Sequence, residues 1–295
     1  SNINPSMKPL VSIVIPSFNH GAYLRDAVTS ALGQSLKEIE VIVVDDASSD
    51  DSLQILASIQ DERLKIFINP ENLGSSLTLN RGIEASSAPI IAALNSDDLF
   101  DPERLSRCLS VFENPDIVLV STDLRLIDSE GAIIHDPDFW WLKWYSGLVS
   151  EFLNCNDMAA TLFSGNIFVS TSNMIFRKSL IDKIGPFSVL RYTQDYEFAL
   201  RAVRAFPAGV IRLEDQLLSY RLHHFNTILE DRVPPVLETL TLLARELPKF
   251  ESPLSLSRVQ AKYEDHLSRL FQYLKEGAEE RADQINASRI RAMQD

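Results

Sequence analysis

The chain has 295 residues, of which 45% are apolar and 23% charged, and its net charge is −13. That length and composition exclude a dominantly disordered chain and suit one large α/β domain, alone or with a small appendage. The acidic balance argues against a nucleic acid backbone or a bare anionic membrane as partner.

The first predicted element is Leu10 to Pro16, an apolar β-branched run that reads as a buried strand. Gly21 to Leu32 carries Leu24, Val28, Ala31 and Leu32 at helical spacing. Glu40 to Asp45 reads as a second buried strand, and Ser48, Ser49 and Asp50 are cap candidates for a helix bearing Leu53, Ile55, Leu56 and Ile59. A third strand over Leu64 to Ile68, a helix over Ser75 to Ala85 and a fourth strand over Pro89 to Leu94 follow. Asp101-Pro102-Glu103 has the chemistry of a helix start, and Ile117 to Ser121 is a fifth strand. Strands alternating with helices predict right-handed βαβ units, a mostly parallel sheet, and ligands at the carboxyl ends of its strands. Those ends carry Ser17-Phe18-Asn19, Asp45-Asp46 and Asn95-Ser96-Asp97-Asp98.

The order then changes. Asp136 to Ser164 is aromatic-rich, with Phe139, Trp140, Trp141, Trp144 and Tyr145. Ile167 to Phe176 is strand-like, a helix is expected around Asp195 to Phe206, and Gly209 to Leu213 and Leu217 to Leu222 read as two short strands. Beyond Glu230 the pattern is helical: Leu237, Leu240, Leu243 and Leu247 line one face, and Tyr263, Leu267, Leu270, Phe271 and Leu274 another. The charge follows the same division. From Glu230 onward there are 12 acidic and 10 basic residues, against 29 and 18 before it. An anionic ligand in the earlier region therefore needs a cation to hold it. Cys108 and Cys155, far apart, suit reduced thiols better than a disulfide framework or a zinc site. No run reaches the ~18 apolar residues of a membrane helix, and no signal peptide is visible. A cytoplasmic location is expected, with peripheral contact at the inner face of a membrane left open.

Asp97-Asp98 follows a strand and precedes a helix start, which suits carboxylate ligation of Mg²⁺ or Mn²⁺ with a pyrophosphate supplying further oxygens. Loop aspartates capping backbone groups are an equal alternative for the pair taken alone. Asp45-Asp46 offers a carboxylate for the imide of a uracil ring, though helix capping explains that pair better in isolation.

Taken together, VSIVIPSFN (Val11 to Asn19), VIVVDDASSDDS (Val41 to Ser52), NLGSSLTLNRGI (Asn72 to Ile83) and NSDDLFDPERL (Asn95 to Leu105) resemble the family 2 glycosyltransferases. SNMIFRKS from Ser172, Gly185-Pro186-Phe187, TQDYEFALR (Thr193 to Arg201) and YRLHHFN (Tyr220 to Asn226) extend the resemblance over roughly residues 10 to 228. The resemblance implies a GT-A nucleotide-diphospho-sugar transferase fold over 8–229, followed by a helical extension over 230–295. It implies Asp195 as catalytic base. Pro16, Phe18, Asn19, Asp46, Asn80, Arg81 and Asp97 fall to the donor pocket, with Phe18 near the base and Asp46 reading it. Asp98 falls to the metal as the likelier direct ligand, with His223 beside the donor phosphates. The cofactor implied is Mn²⁺ or Mg²⁺. The implied partners are a nucleotide-diphospho-sugar, with uridine favoured, and a saccharide or lipid-linked saccharide acceptor, in cell-surface polysaccharide or lipopolysaccharide synthesis. The expected chemistry is an inverting displacement.

Two departures stand out: Gln194 replaces the family's usual Glu before the base, and Glu197 replaces a common Asp two residues after it, which makes Glu197 the next choice of base. Gln194 keeps open a non-catalytic sugar-nucleotide-binding protein of the same fold. A nucleotidyltransferase would carry a basic, glycine-rich loop after the first strand, and Pro16 to Gly21 is not one. Arg221 reads equally as a phosphate contact or an ion-pair partner. His224 reads as solvated, and at least one of Trp140, Trp141 and Trp144 as core rather than a sugar platform.

Overall fold

A computed structural model describes residues 8–223, 233–250 and 253–294, without the side chains of 253–259. The residues fall into two compact units. One joins the chain up to residue 146 with 168–223; the other joins 147–167 with the residues after 223. The sequence expectation divided the chain at 229/230, which lies outside the described residues together with His224. The structure groups 147–167 with the C-terminal helices.

The first unit is built on one sheet. Its strands are β1 (Val11–Ser17), β2 (Ile39–Asp45), β3 (Leu64–Ile68), β4 (Ile90–Ala93), β5 (Leu99–Phe100), β6 (Leu119–Ile127), β7 (Ile175–Arg177) and β8 (Val210–Arg221), in the order β3-β2-β1-β4-β7-β6-β8-β5. β3, β2, β1 and β4 pair in parallel, β7 runs antiparallel to both of its neighbours, and β6 and β8 pair in parallel again. The sheet is therefore mixed. The helices between strands are α1 (Gly21–Leu32), α2 (Ser52–Ser58), α3 (Ser75–Ala85), α4 (Arg104–Val111), α7 (Ser179–Ile184) and α8 (Gln194–Ala205). β1 and β2 are buried almost throughout, because helices cover both faces of the parallel half. α3 lies very close to that half: a methyl group added at Gly82 would meet Val14 Cγ1 at 2.3 Å and Val44 Cγ2 at 3.2 Å, so only glycine permits the approach.

Glu40 ties the N-terminal edge of this half together. Its buried carboxylate accepts from Ser12 Oγ on β1 (2.6 Å), Lys65 Nζ on β3 (2.6 Å), and the backbone N and hydroxyl of Ser87 ahead of β4 (2.6 and 2.9 Å). Burial pushes the acid up, but these donors overcome it and hold the group down at about 2. The opposite edge, where the parallel strands end, is left to the loops.

Three expectations change on folding. Ile167 to Phe176 is not a strand: Thr171–Asn173 form a 3-10 turn and β7 begins only at Ile175. The two short strands after Gly209 are one long strand, β8, which keeps pairing with β6 through a register shift at Thr122 to Leu124. The aromatic segment contains α5 (Trp140–Cys155), within which the boundary between the units falls.

In the second unit α6 (Met158–Ser164), α9 (Val233–Glu246) and α10 (Pro253–Gln294) are helical. α10 covers the end of α6 with polar groups: Arg269 donates to Ser164 O at 2.6 Å, and His266 Nδ1 lies 3.0 Å from Phe163 O. Among the described residues no helix is long and apolar enough to cross a membrane.

His266 is 8% exposed, and burial depresses it to about 4, against a weak upward pull from the Phe163 carbonyl. The unfolded chain takes up its proton near pH 6.5, whereas the folded unit does not until near 4. Folding stability is therefore lost as pH falls through that window, at about 1.4 kcal/mol per pH unit. Between pH 7 and pH 5 the amides of α6 and of α10 near His266 should lose about 2 kcal/mol of hydrogen-exchange protection. His266→Gln should remove most of that dependence, and an unchanged pH profile in this variant would exclude His266 as its source.

Candidate active site

The site residues converge because β2, β1 and β4 are neighbours that end on the same edge. Asp46 follows β2, Phe18 to His20 follow β1, and Asn95 to Asp98 follow β4. The end of β8 delivers Arg221, Leu222 and His223 to the turn after β4.

The two adjacent aspartates face different surroundings. Asp98 is 1% exposed. Its Oδ1 accepts from the Arg221 backbone N at 3.0 Å and its Oδ2 from the Ser172 hydroxyl at 2.6 Å. Burial first, and the neighbouring Asp97 charge second, push its carboxyl well above the ordinary range. Asp97 instead presents Oδ2 to His223 Nε2 at 2.7 Å, with 16% and 20% of the two side chains exposed. Both Asp98 oxygens thus hold protein donors in a site closed to solvent, whereas Asp97 is partly exposed. The accessible ligand-type pair is Asp97 and His223. Among the described residues no group of three or more His, Cys, Asp or Glu side chains could hold a metal.

His20 and Tyr23, which the motifs did not single out, surround this pair together with Arg221. His20 stacks on His223 at 6.2 Å and its Nδ1 lies 2.7 Å from Ser96 Oγ. Tyr23 meets His223 edge-on at 5.2 Å and carries the Arg221 guanidinium 4.5 Å above its face. Backbone carbonyls take up the Arg221 guanidinium. It donates to the carbonyls of Asp97 (2.8 Å), Asp128 (3.1 Å) and Ser129 (3.2 Å). Beneath Asp98, fully buried Arg104 holds the 3-10 turn, donating to Thr122 Oγ1 at 2.6 Å and to Ser172 O and Asn173 Oδ1 at 3.2 Å each. Tyr220 records the convergence: burial first, and then the charges of Asp98, Asp97 and Asp195, push its phenol up. Trp141, 6% exposed, stacks on Tyr220 at 5.6 Å and belongs to the core, whereas Trp140 is 56% exposed.

Asp195 stands in the first turn of α8 and is 6% exposed. Glu197, the second candidate, pairs with Arg201 and accepts from Ser188 Oγ at 2.8 Å. Asp46, 3% exposed, takes Asn69 Nδ2 (2.9 Å) and Leu73 N (2.7 Å) on one oxygen and Gly74 N (2.9 Å) on the other, so it shapes the loop leading into α3. Arg81 donates to Asn69 Oδ1 at 2.5 Å and lies over Phe67. Asn19, at φ 50°, accepts from Ser49 N at 2.8 Å and so joins the loops after β1 and β2. Pro16 is half-buried at the end of β1 and Phe18 is 45% exposed. Asn80 binds the backbone of Phe187 through both its amide oxygen and its amide nitrogen.

The sequence profile of Glycosyl transferase family 2 matches residues 12–185, more than half of the chain. The chain belongs to this family. An uncharacterized glycosyltransferase of Nostoc sp. is 27% identical over 73% of this chain and 66% of its own length. A putative teichuronic acid biosynthesis glycosyltransferase of Bacillus subtilis, TuaG, is 33% identical over 44% of this chain and 54% of its own. Two solved structures share the fold at low identity. Staphylococcus aureus TarS in complex with UDP-GlcNAc has a TM-score of 0.64 at 19% identity, over 89% of this chain and 72% of that one. A mannosyltransferase of Pyrobaculum calidifontis in complex with GDP-Man and Mn²⁺ has a TM-score of 0.66 at 16% identity, over 96% and 77%. The protein is a glycosyltransferase of GT-A fold.

Removing Asp98 strands a buried hydroxyl and a buried backbone N–H. In metal-free buffer Asp98→Ala should cost about 2 kcal/mol, lowering the melting point by about 5 °C. Asp97→Ala, which also relieves repulsion on Asp98, should shift it by no more than about 1 °C. A larger loss for Asp97→Ala would reverse the roles given to the two residues.

Proposed function

We propose that this glycosyltransferase is an inverting enzyme that binds a nucleoside diphosphate sugar, with uridine the favoured base, through a divalent cation held by Asp97 and His223. The observation that carries this is their 2.7 Å contact at the end of β4, beside the region where Asp195 also acts on Tyr220. The Asp97 carboxylate suits Mn²⁺ or Mg²⁺, ions whose shells are completed by water and substrate phosphates rather than by an all-protein cage, and the His223 imidazole would add one nitrogen. When bound, the ion neutralises the charge that grows on the departing diphosphate. That requirement fits an acidic chain.

The remaining work falls to the protein. Asp195 accepts the proton of the acceptor hydroxyl as its oxygen attacks the anomeric carbon. Asp98 contributes no ligand; its hydrogen bonds to Ser172 and Arg221 fix the turn that points Asp97 outward. Asp46 fixes the 69–74 loop and keeps one unfilled lone pair on Oδ2 for a base N–H. The exposed ring of Phe18 offers a face for the base. The acceptor belongs to polysaccharide assembly, a reading supported by the name of the Bacillus relative; peripheral membrane contact and a cytoplasmic setting belong to the same proposal.

Melting curves with UDP-GlcNAc, UDP-glucose and GDP-mannose test the donor and the cation together. The true donor should raise the melting point further with Mn²⁺ than without it. Asp97→Ala should abolish the metal-dependent part. Asp195→Asn should leave the shift intact while turnover falls about 10²–10⁴-fold. Normal turnover in Asp195→Asn would remove Asp195 from its role.

A further inference from the structure

The segment that delivers Asp195 is gripped from two sides. On one side it is bound to α8 itself. Arg201 donates to the carbonyls of Ile184, Gly185 (3.3 Å) and Pro186 (2.7 Å), and Phe187 stacks on Phe198 at 4.0 Å and 9°. On the other side it is bound to α3. The Asn80 amide closes a two-bond ring on one residue: Phe187 N donates to Asn80 Oδ1 at 3.0 Å, and Asn80 Nδ2 donates to Phe187 O at 2.8 Å. Ser76 Oγ donates to Leu190 O at 3.2 Å, and Gln194 Nε2 to Ser75 Oγ at 3.2 Å. The start of α3 is in turn anchored by Asp46 through Leu73 N and Gly74 N.

An amide that bonds both the N–H and the C=O of one residue behaves as a short piece of strand: it sets the register of the partner as well as its distance. We infer that Asn80 is a positioning residue and not a donor contact, holding residues 185–193 in register with α3 so that Asp195 is presented at a fixed depth beside the donor-binding loops. The inference rests on the reading of Asp195 as the base. It gives Gln194 a purpose too. A neutral amide tethers the helix start to Ser75 without adding a second charge next to Asp195. A displacement of about 1 Å at the base is enough to cost on the order of a hundredfold in rate.

The test uses the full chain and the variants Asn80→Ala, Asp195→Asn and the double variant. Binding of UDP and of GDP in the presence of Mn²⁺ is measured by calorimetry. Turnover is measured as nucleoside diphosphate release from UDP-GlcNAc, UDP-glucose or GDP-mannose, with water standing in for the acceptor. Asn80→Ala is expected to leave nucleotide affinity within about twofold and to lower turnover about 10- to 100-fold. In the Asp195→Asn background the same substitution is expected to cost less than about threefold more, because both changes act through one group. A tenfold loss of nucleotide affinity at unchanged turnover would make Asn80 a donor contact and overturn the inference, as would a full, additive loss in the Asp195→Asn background. Normal turnover in Asp195→Asn alone would instead sink the base assignment. Should Asn80→Ala fail to fold, Ser76→Ala removes a second bond from α3 to the same segment. A severalfold loss of turnover at constant nucleotide affinity supports the inference, and no loss overturns it.

Discussion

The site depends on one carboxylate that has been taken out of water. Asp98 sits at 1% exposure between the Ser172 hydroxyl and the Arg221 backbone N–H. Through those two bonds it joins the turn after β4 to the 3-10 turn before β7 and to the end of β8. Burying an acid is costly, and the upward push on its pKa records that cost. What the arrangement achieves is geometric. With Asp98 turned inward, the preceding Asp97 is left partly exposed and meets His223, two residues after Arg221. Arg104 then braces the same turn from below with a cation that has no acidic partner among its hydrogen bonds.

A second set of constraints organises the loops after β1, β2 and β3. Asp46, Asn69 and Arg81 form a chain of polar contacts between β2, β3 and α3. Asn19 stitches the loop after β1 to the loop after β2. These residues are loop-shaping elements first, and any contact with a ligand is added to that role. The two halves meet in α3, whose start is fixed by Asp46 and whose side chain Asn80 fixes the approach to α8. The loop leading into α3 and the segment before the candidate base are thus parts of one hydrogen-bonded frame.

Much of this frame was legible in the sequence. Strands buried on both faces are continuous apolar runs, so β1, β2 and β4 were readable from composition alone, and polar residues at their ends marked the site. The motifs then supplied the family. What remained hidden was decided by long-range pairing. Asp97 and Asp98 are the same residue type in adjacent positions. Only partners 74 and 123 residues away determine which one turns inward. Asn80 has the chemistry of a ligand contact and of a backbone clamp, and its two bonds to Phe187, 107 residues away, are invisible to the local pattern. The contacts of Glu197 with Arg201 and Ser188 were equally out of reach of the local pattern. The 167–176 run is apolar enough for a strand, but its serines and asparagine are used to hold Asn95, Asp98 and Thr122. β8 looked like two strands because its pairing with β6 slips in the middle.

The central claim concerns which aspartate meets the cation. A crystal structure of the protein with Mn²⁺ and a nucleoside diphosphate, with the metal located by its anomalous signal, tests it most directly. The account predicts Mn²⁺ bonded to an Asp97 carboxylate oxygen and to His223 Nε2, with Asp98 still bonded to Ser172 and the Arg221 backbone. Manganese on Asp98, with those two bonds broken, would contradict it.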